Sequence, residues 1–490
     1  MNTQALQKIA RQCDGETLRH LFFQNAEICP DKPAFVFDYG RAERTYAEFL
    51  SEVAAVGRYS YVMGWRGKRV ALVGAISYPS ILFQTACFCG NVTAACLDHT
   101  LGLEEIRSRV ARCGADAVLY DPAGVPDAPK GWLSFSEVVE AALRSREDAG
   151  WSEDYVSQTA PALILFSSGT GGRTKAALLS QQGLCVERFV RQRLTGREHR
   201  GLIHLPMYHI FGICDINGDL QMGNTMYLSA GFPSLLQELQ YWKPRCINMV
   251  PAQAIFLAEL LRGKSPEQGR ALLGGALNAI RTAGAPLPDA VVDLMAGYGV
   301  SITSEYGLTE ASGPVAVSIL RDGRLWRKPG SVGKILEGVD VEIAPIEGSS
   351  LGEVVIRGQS VFDGYLGDEA ATREVLSEGA LHTGDLGSID ADGYLYIAGR
   401  LKNIIILSSG ENIIPEELEA ELLRLEGIRE CRVRQQGDQI AVDIYTGDEA
   451  AARESVRRFN RESPSFKQIH IVNIRDVPLE KTSSGKILRA

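Results

Sequence analysis

Short apolar runs and longer amphipathic stretches alternate along the first 300 residues. Residues 69–73 and 116–120 are apolar runs of strand length, whereas residues 46–61 and 103–113 carry apolar side chains at helical spacing. Such alternation predicts a parallel sheet with crossover helices, and therefore an α/β fold. The same rhythm predicts further strands at residues 201–205, 225–228, 246–250, 279–283 and 300–303.

The pattern changes beyond residue 330. Short alternating runs at residues 339–344 and 353–357, set among glycine-rich turns, predict a small antiparallel or barrel-like unit. We therefore expect the large N-terminal part to combine parallel-rich α/β sheets with this smaller β unit.

A second change follows residue 400. A short strand at 404–407 precedes a helix that begins at Pro415, and residues 431–435 and 439–445 predict a hairpin followed by a helix over 450–462. Because 490 residues exceed what one compact core accommodates, we predict two domains. These are an N-terminal domain over 1–400 and a small, mobile α+β C-terminal domain over 401–490.

Composition narrows the class of protein. The chain is 45% hydrophobic with a formal charge of −9 and no basic tract, which argues against a nucleic-acid partner. Ten cysteines scattered along the chain are typical of reduced thiols, so we expect a cytoplasmic protein. The uncharged stretch 70–97 is interrupted by Gly74, Pro79, Gln84 and Asn91, and predicts a strand, a turn and a buried helix rather than a membrane span.

The segment 163–177 carries the most distinctive candidate chemistry. An apolar run leads into residues 167–174, which are all Gly, Ser, Thr or Arg, and Lys175 follows. Glycines let backbone N–H groups turn inward, and hydroxyls and cations add donors, so the segment suits a polyphosphate. It lacks the Walker spacing, which excludes a Walker-type ATPase or kinase, while a plain Gly/Ser turn remains an alternative.

Further polar, glycine-rich motifs follow in order, several of them directly after a predicted strand, at the edge where α/β sheets collect ligands. They are residues 206–212 (PMYHIFG), 283–287 (AGAPL), 305–310 (EYGLTE), 382–385 (HTGD), 399–402 (GRLK), 409–412 (SGEN) and 482–486 (TSSGK). Together with the first segment, this ordered set resembles the adenylate-forming superfamily of acyl- and aryl-CoA synthetases, peptide-synthetase adenylation domains and firefly luciferase. The resemblance extends from residue 17 to 489.

The resemblance implies an enzyme that joins a carboxylic acid to ATP, releases pyrophosphate and passes the acyl group from its adenylate to a thiol. Both substrates are anionic, so their transition state needs cations and oriented donors. The implied cofactors are ATP, Mg²⁺ and CoA, or a carrier-protein phosphopantetheine in place of CoA. The implied ATP-binding residues are Ser168, Gly169, Thr170, Gly171, Gly172, Lys175, Gly284, Ala285, Pro286, Tyr306, Gly307, Thr309, Asp385, Arg400 and Lys486.

Roles are carried over from the motifs residue by residue. Lys486, Thr309 and His209 correspond to catalytic positions, and Glu310 with Thr170 corresponds to the metal site. The implied acyl pocket is formed by Tyr208, His209, Phe211, Ser304, Glu305, Ser312 and Gly313. Lys402 falls at the hinge, and the face used with the thiol holds Gly410, Glu411 and Asn412. Purely structural roles remain alternatives for three of these residues: Asp385 as a turn-forming residue, Tyr306 as a core residue and Glu305 as an exposed loop acid.

Some positions depart from the superfamily pattern. Gly171 replaces a usual hydroxyl, Thr174 a proline and Ala176 a glycine, and Gln181 stands where histidine is common. These changes leave a non-catalytic nucleotide-binding homologue as an alternative. No aspartate stands within 208–211, which favours a fatty, aryl or other non-amino acid, and the sequence settles neither which acid nor the oligomeric state.

Overall fold

The computed structural model describes residues 3–13, 15–168, 174–194, 199–321, 324–326, 328–346, 349–408, 411–481 and 487–489. Its helices are α1 Thr3–Ala10, α2 Leu18–Phe23, α3 Asn25–Ile28, α4 Tyr46–Val62, α5 Tyr78–Phe88, α6 Leu103–Arg112, α7 Phe135–Arg144, α8 Gln181–Leu184, α9 Glu187–Leu194, α10 Ile210–Met222, α11 Leu235–Trp242, α12 Pro251–Leu261, α13 Pro266–Leu272, α14 Asp289–Gly297, α15 Glu369–Val375, α16 Pro415–Leu422 and α17 Glu449–Glu462.

Its strands, in chain order, are β1 Pro33–Phe37, β2 Ala42–Thr45, β3 Arg69–Val73, β4 Thr93–Leu97, β5 Ala117–Tyr120, β6 Leu133–Ser134, β7 Pro161–Ser168, β8 Thr174–Ser180, β9 Arg200–Ile203, β10 Thr225–Leu228, β11 Cys246–Met249, β12 Ala279–Ala283, β13 Ser301–Leu308, β14 Gly313–Val317, β15 Ile319–Arg321, β16 Arg324–Trp326, β17 Ser331–Ile335, β18 Asp340–Pro345, β19 Gly352–Arg357, β20 Gly364–Tyr365, β21 Leu376–Ser377, β22 Ala380–Ile389, β23 Tyr394–Arg400, β24 Ile405–Ile406, β25 Asn412–Ile413, β26 Glu430–Gln436, β27 Gln439–Tyr445 and β28 Ile471–Arg475.

The smaller of the two main sheets has the order β20-β8-β7-β4-β3-β5-β6. Strands β3, β4, β5 and β7 are parallel, as the alternating pattern predicts, and β8 folds back antiparallel on β7. The uncharged stretch 70–97 forms β3, the buried helix α5 and β4, so it contains one strand more than expected. Among the described residues, no helix is both long and apolar enough to cross a membrane.

The larger sheet runs β18-β19-β22-β23-β17-β14-β13-β12-β11-β9-β10-β1-β2. Its centre, from β10 to β13, is parallel, which confirms the predicted α/β arrangement. The strands beyond residue 330 are antiparallel, as expected. They continue this sheet, because β14 pairs with both β13 and β17.

Residues beyond 400 build a core of their own. The predicted hairpin is present as β26 and β27, and β28 adds a parallel third strand. Helices α16 and α17 pack against these strands around a cluster of buried apolar side chains that runs from Ile405 to Ile469. The strand predicted at 404–407 shortens to β24, which pairs with β25.

Candidate active site

The glycine-rich segment lies between two antiparallel strands. Residues Gly169, Thr170, Gly171, Gly172 and Arg173 lie outside the described residues, as does the side chain of Ser168. The ends of the segment are fixed, because β7 and β8 pair up to Ser168 opposite Thr174. Arg112 donates hydrogen bonds to the carbonyl and the hydroxyl of Thr174. Thr174, which replaces a proline of the superfamily pattern, thereby gains a side-chain anchor.

Lys175 follows the segment and is partly buried. Its Nζ lies 4.8 Å from the centroid of the Tyr365 ring and 3.9 Å from Glu374 Oε2. The ion pair with the exposed Glu374 is weak in water. The Lys175 cation therefore remains available to bind phosphate oxygens at the end of β7.

Two other departures from the superfamily pattern have structural explanations. Ala176 is buried in β8, opposite Phe166, and its carbonyl accepts from Leu366 N at 2.8 Å. Gln181 is fully buried and bridges two helices, since Oε1 accepts from Leu18 N at 3.2 Å and Nε2 donates to the Phe88 carbonyl at 2.7 Å. Neither residue therefore weakens the fold around the segment.

Glu310 is held by hydroxyl groups from two distant parts of the chain. Both Ser167 Oγ and Tyr365 OH donate to Glu310 Oε1, each at 2.8 Å. The backbone carbonyl of Glu310 accepts from Phe362 N at 2.9 Å, which fixes the residue at its backbone as well. A carboxylate held this way fits Mg²⁺, which takes one or two protein carboxylates and completes its shell with substrate oxygens and water. Among the described residues, no group of three or more His, Cys, Asp or Glu side chains is placed to hold a metal ion.

A second carboxylate, Asp385, lies on β22 and is 4% exposed. Tyr306 OH donates to its Oδ2 at 2.6 Å, and Arg400 Nε lies 2.6 Å from its Oδ1. Arg400 stands directly opposite on β23, so the pair is fixed by strand register. The alternative of a turn-forming Asp385 is wrong, because the residue is in a strand. Each carboxylate oxygen has two lone pairs, which leaves acceptor capacity for a pair of hydroxyl groups.

Tyr306, Gly307 and Thr309 lie where β13 ends. Tyr306 and Gly307 are in the strand, and Thr309 opens a short 3₁₀ helix, Thr309–Ala311. Gly307 must lack a side chain, since a Cβ there would lie 2.3 Å from the Gly313 carbonyl oxygen. The segment Gly284, Ala285 and Pro286 follows β12, whose last residue pairs with β13 one position before Tyr306. The structure therefore brings the two motifs predicted to flank the adenine to adjacent strand ends.

His209 is the N-cap of α10, and its Nε2 is buried without a hydrogen-bond partner among the described residues. Burial lowers the pKa of His209, so the ring is neutral near pH 7. Tyr208 packs against it with ring centroids 4.8 Å apart. Burial and the nearby Asp98 raise the pKa of Tyr208 to about 12. Phe211 lies in the first turn of the same helix.

Glu305 is buried in β13 and paired with Arg281 of β12. Arg281 Nε donates to Glu305 Oε1 at 2.5 Å, and Arg281 Nη2 donates to Glu187 Oε1 at 2.8 Å. The alternative of an exposed loop acid at Glu305 is therefore wrong. The other predicted pocket residues lie nearby: Ser304 precedes Glu305, Ser312 is buried, and a Cβ at Gly313 would lie 2.6 Å from Cys214 Sγ of α10.

The predicted C-terminal residues are described only in part, because Lys486 and Gly410 lie outside the described residues. Lys402 lies in a 3₁₀ turn, Leu401–Asn403, directly after β23, and burial lowers its pKa. Glu411 and Asn412 lie at β25, and Asn412 is exposed. Residues on either side of 482–486 are anchored, since Lys481 Nζ donates to Glu430 Oε1 and Arg489 Nη2 donates to Glu419 Oε2, both at 2.5 Å.

The sequence matches the family model described as "AMP-binding enzyme" over residues 22–366. The chain belongs to the AMP-binding enzyme family. Glu310, Tyr306 and the glycine-rich segment all lie within the matched range, whereas Asp385 and Arg400 lie beyond it. Together with relatives that are CoA ligases, membership in this family confirms the prediction of an AMP-forming acid–thiol ligase.

Relatives and solved structures agree with this AMP-binding enzyme assignment. A feruloyl-CoA synthase of an Amycolatopsis species is 30% identical over 412 residues, covering 81% of each chain. A long-chain-fatty-acid–CoA ligase of Mycobacterium bovis, FadD15, is 32% identical over 446 residues, covering 77% of this chain and 73% of the relative. The o-succinylbenzoate CoA synthetase of Bacillus subtilis, solved with its acyl-adenylate, has a TM-score of 0.81 at 22% identity, covering 96% of each chain. That likeness confirms the fold.

Three residues of the candidate site were not found from the sequence, namely Tyr365, Arg281 and Glu187, and the contact of Ser167 with Glu310 was not predicted. Ser167 and Tyr365 are separated from Glu310 by 143 and 55 residues. A single serine or tyrosine carries no periodic signal, so only the folded chain shows these contacts. Arg281 lies in the predicted apolar strand 279–283. A charged residue inside an apolar strand was the sequence feature that could have indicated a buried charge network.

Proposed function

We propose that this enzyme activates a non-amino organic acid with ATP at the end of β13 and transfers the acyl group to CoA. The observation that carries the proposal is the pair of oriented carboxylates at that strand end. Glu310 is held by two hydroxyls, and Asp385 is held by Tyr306 and Arg400. Thr309 lies beside Glu310, three residues after Tyr306.

The two carboxylates suit different parts of one nucleotide. Asp385 and its remaining acceptor capacity suit the two ribose hydroxyls, with Tyr306 and residues 284–286 at the adenine. Lys175 and the glycine-rich segment 168–172, including Thr170, would bind the β- and γ-phosphates. Thr309 would donate to the α-phosphate. Glu310, with Thr170, would hold Mg²⁺, which when bound would neutralise charge on the phosphate oxygens.

The acid would enter beside His209, whose neutral ring adds no charge next to a carboxylate. Tyr208, Phe211, Ser304, Ser312 and Gly313 would line the acyl pocket there. Two relatives, the feruloyl-CoA synthase and the long-chain-fatty-acid–CoA ligase, are named for acids that are not amino acids. Their names support that class of substrate here. Lys486 would reach the α-phosphate and the attacking carboxylate, and preorganised donors of this kind contribute about a hundredfold or more to rate.

The C-terminal core formed by Ile405 to Ile469 is built as a unit, which supports a domain boundary near residue 400. In this proposal residues 401–490 rotate about Lys402 between the two half-reactions, and Glu411 and Asn412 then face the thiol. CoA is the proposed acceptor, with a carrier-protein phosphopantetheine as the alternative. A cytoplasmic location, predicted from the scattered cysteines, belongs to the same proposal.

Replacing Lys486 by alanine tests the proposed chemistry. Lys486→Ala should lose at least a hundredfold of carboxylate-dependent ATP–pyrophosphate exchange, while its Kd for ATP changes little, because other residues hold the nucleotide. Lys481→Ala is a matched control just before the same segment, and should keep the exchange rate within a fewfold. Unimpaired exchange in Lys486→Ala would contradict the role proposed for this lysine.

A further inference from the structure

A layer of buried polar side chains lies between α10 and the larger sheet. Arg281 is bonded to both Glu305 and Glu187, and their side chains are at most 3% exposed. Asp215 of α10 is also buried, and its charge acts on Arg281. Burial would lower the pKa of Arg281, but the three surrounding carboxylates hold it well above its usual value. The guanidinium is therefore permanently charged.

Asn248 belongs to the same layer. In the parallel register it pairs with Arg281, which in turn pairs with Thr303 of β13. Residues paired in this way project from the same face of a sheet, so the Asn248 and Arg281 side chains lie on one face. Asn248 is 2% exposed.

Helix α10 connects this layer to His209. Helix α10 begins at Ile210, directly after His209, and Cys214, one turn on, donates to the Ser312 carbonyl. Asp215 follows Cys214 and acts on Arg281, so the first two turns of α10 cover the layer. An acid that enters beside His209 and extends away from the nucleotide along β13 would meet Glu305 and Arg281.

Three polar atoms that belong to Arg281 and Asn248 have no hydrogen-bond partner within the described part of the chain. They are Arg281 Nη1 and both amide atoms of Asn248, Nδ2 and Oδ1. A buried donor or acceptor left unpaired is destabilising, because it has given up its hydrogen bonds to water. An all-hydrocarbon acid would leave these atoms unpaired, whereas an oxygen atom at this point would pair with them.

We propose that Arg281 and Asn248 form the polar end of the acid pocket and bind a neutral oxygen-bearing substituent of the acid, such as a hydroxyl group. Arg281 Nη1 offers only a donor, and the Asn248 amide offers a donor and an acceptor, which together match a hydroxyl. The substituent is not a carboxylate, because three carboxylates surround one arginine and repel a second carboxylate on the acid. This inference rests on the proposed ligase function.

Matched acids test the preference in the wild-type enzyme. Pyrophosphate release is measured with hexanoate, 6-hydroxyhexanoate and adipate, and with cinnamate and 4-hydroxycinnamate. In at least one series the hydroxy acid should exceed its parent about tenfold or more in kcat/KM, the effect of one satisfied hydrogen bond. Adipate should fall below 6-hydroxyhexanoate. Turnover with no hydroxyl preference in either series, or with adipate preferred, overturns this inference alone. Absence of acid-dependent release with every acid overturns the ligase function and this inference together.

Asn248→Leu should lower the ratio of kcat/KM for the hydroxy acid to kcat/KM for its parent about tenfold, and should leave KM for ATP unchanged. Asn217→Leu is the matched control, because Asn217 is equally buried at 2% exposure and its Nδ2 also lacks a partner in the described chain. It lies on α10 about 200° around the helix from Asp215, facing away from the layer. Asn248→Ser is a milder variant that carries the test if the leucine variant does not fold. An unchanged hydroxyl-to-parent ratio in the soluble Asn248 variants contradicts the inference.

Discussion

Replacing Asp385 by asparagine separates nucleotide binding from folding. In the folded chain the carboxylate accepts from Tyr306 OH and pairs with Arg400. An asparagine can keep both contacts, because its Oδ1 can face Arg400 while its Nδ2 donates to the Tyr306 hydroxyl oxygen. Arg400 is 32% exposed, so water shares its charge. We expect a stability loss of only about 1 kcal/mol.

The loss in ATP binding should be larger. Asparagine removes the negative charge and leaves a single acceptor oxygen, which Arg400 shares, so it can accept from only one of the two ribose hydroxyls. Hydrogen bonds to a charged group contribute about 1.5–3 kcal/mol each. Losing one of two ribose contacts corresponds to a Kd for ATP raised about 10- to 100-fold.

Calorimetric titration of ATP in the absence of acid measures this Kd without turnover, and thermal unfolding measures stability in the same samples. Tyr306→Phe is the control, since it removes one hydroxyl and keeps the carboxylate, and should raise the Kd only about fivefold. A Kd within twofold of wild type in Asp385→Asn would refute the ribose role. So would a loss of binding that simply follows the loss of folded protein.

Two further predictions concern stability. Burial lowers the pKa of His204 to about 4, so this histidine binds a proton more readily in the unfolded chain than in the folded chain. The free energy of unfolding should therefore fall by about 3 kcal/mol as pH drops from 6.5 toward 4. In His204→Gln the stability difference from wild type should shift by that amount between pH 7 and 4.5 in urea unfolding, and a pH-independent difference would contradict it. Burial would raise the pKa of Asp443, yet Arg432, Arg434 and Asn473 hold it at about 2. Asp443→Asn should destabilise the C-terminal core by about 2–4 kcal/mol while ATP binding persists. A single unfolding transition in which ATP binding is lost at the same time would argue against a separate C-terminal domain.

Local patterns were enough to predict much of the fold. The helix expected at residues 46–61 is α4, which begins with a capping box of Thr45 and Glu48. The hairpin β26–β27 and helix α17 also lie where short-range periodicity placed them. The continuous larger sheet was not predictable, because Ala316 of β14 pairs with Ile335 of β17, and such a pairing leaves no mark in the intervening sequence.

The candidate site, like the fold, was predictable from the sequence only in part. Tyr306, Glu310 and Asp385 were found because each lies in a short motif of unusual composition. Their partners were found only where a second motif supplied them, as Arg400 does for Asp385. Arg281 joins Glu305 and Glu187 across 24 and 94 residues of sequence. A buried charge network of this kind depends on which strands become neighbours, and that is decided by the whole sheet.

The central claim is that the oriented carboxylates at the end of β13 serve an adenylation reaction. Carboxylate-dependent ATP–pyrophosphate exchange by the wild-type protein, measured over a panel of fatty, aryl and hydroxy acids with Mg²⁺, tests it most directly. We predict exchange that requires an acid, and consumption of the resulting adenylate with thioester formation when CoA is added. Tight ATP binding with no exchange for any acid in the panel would contradict the claim and identify a nucleotide-binding homologue without catalysis.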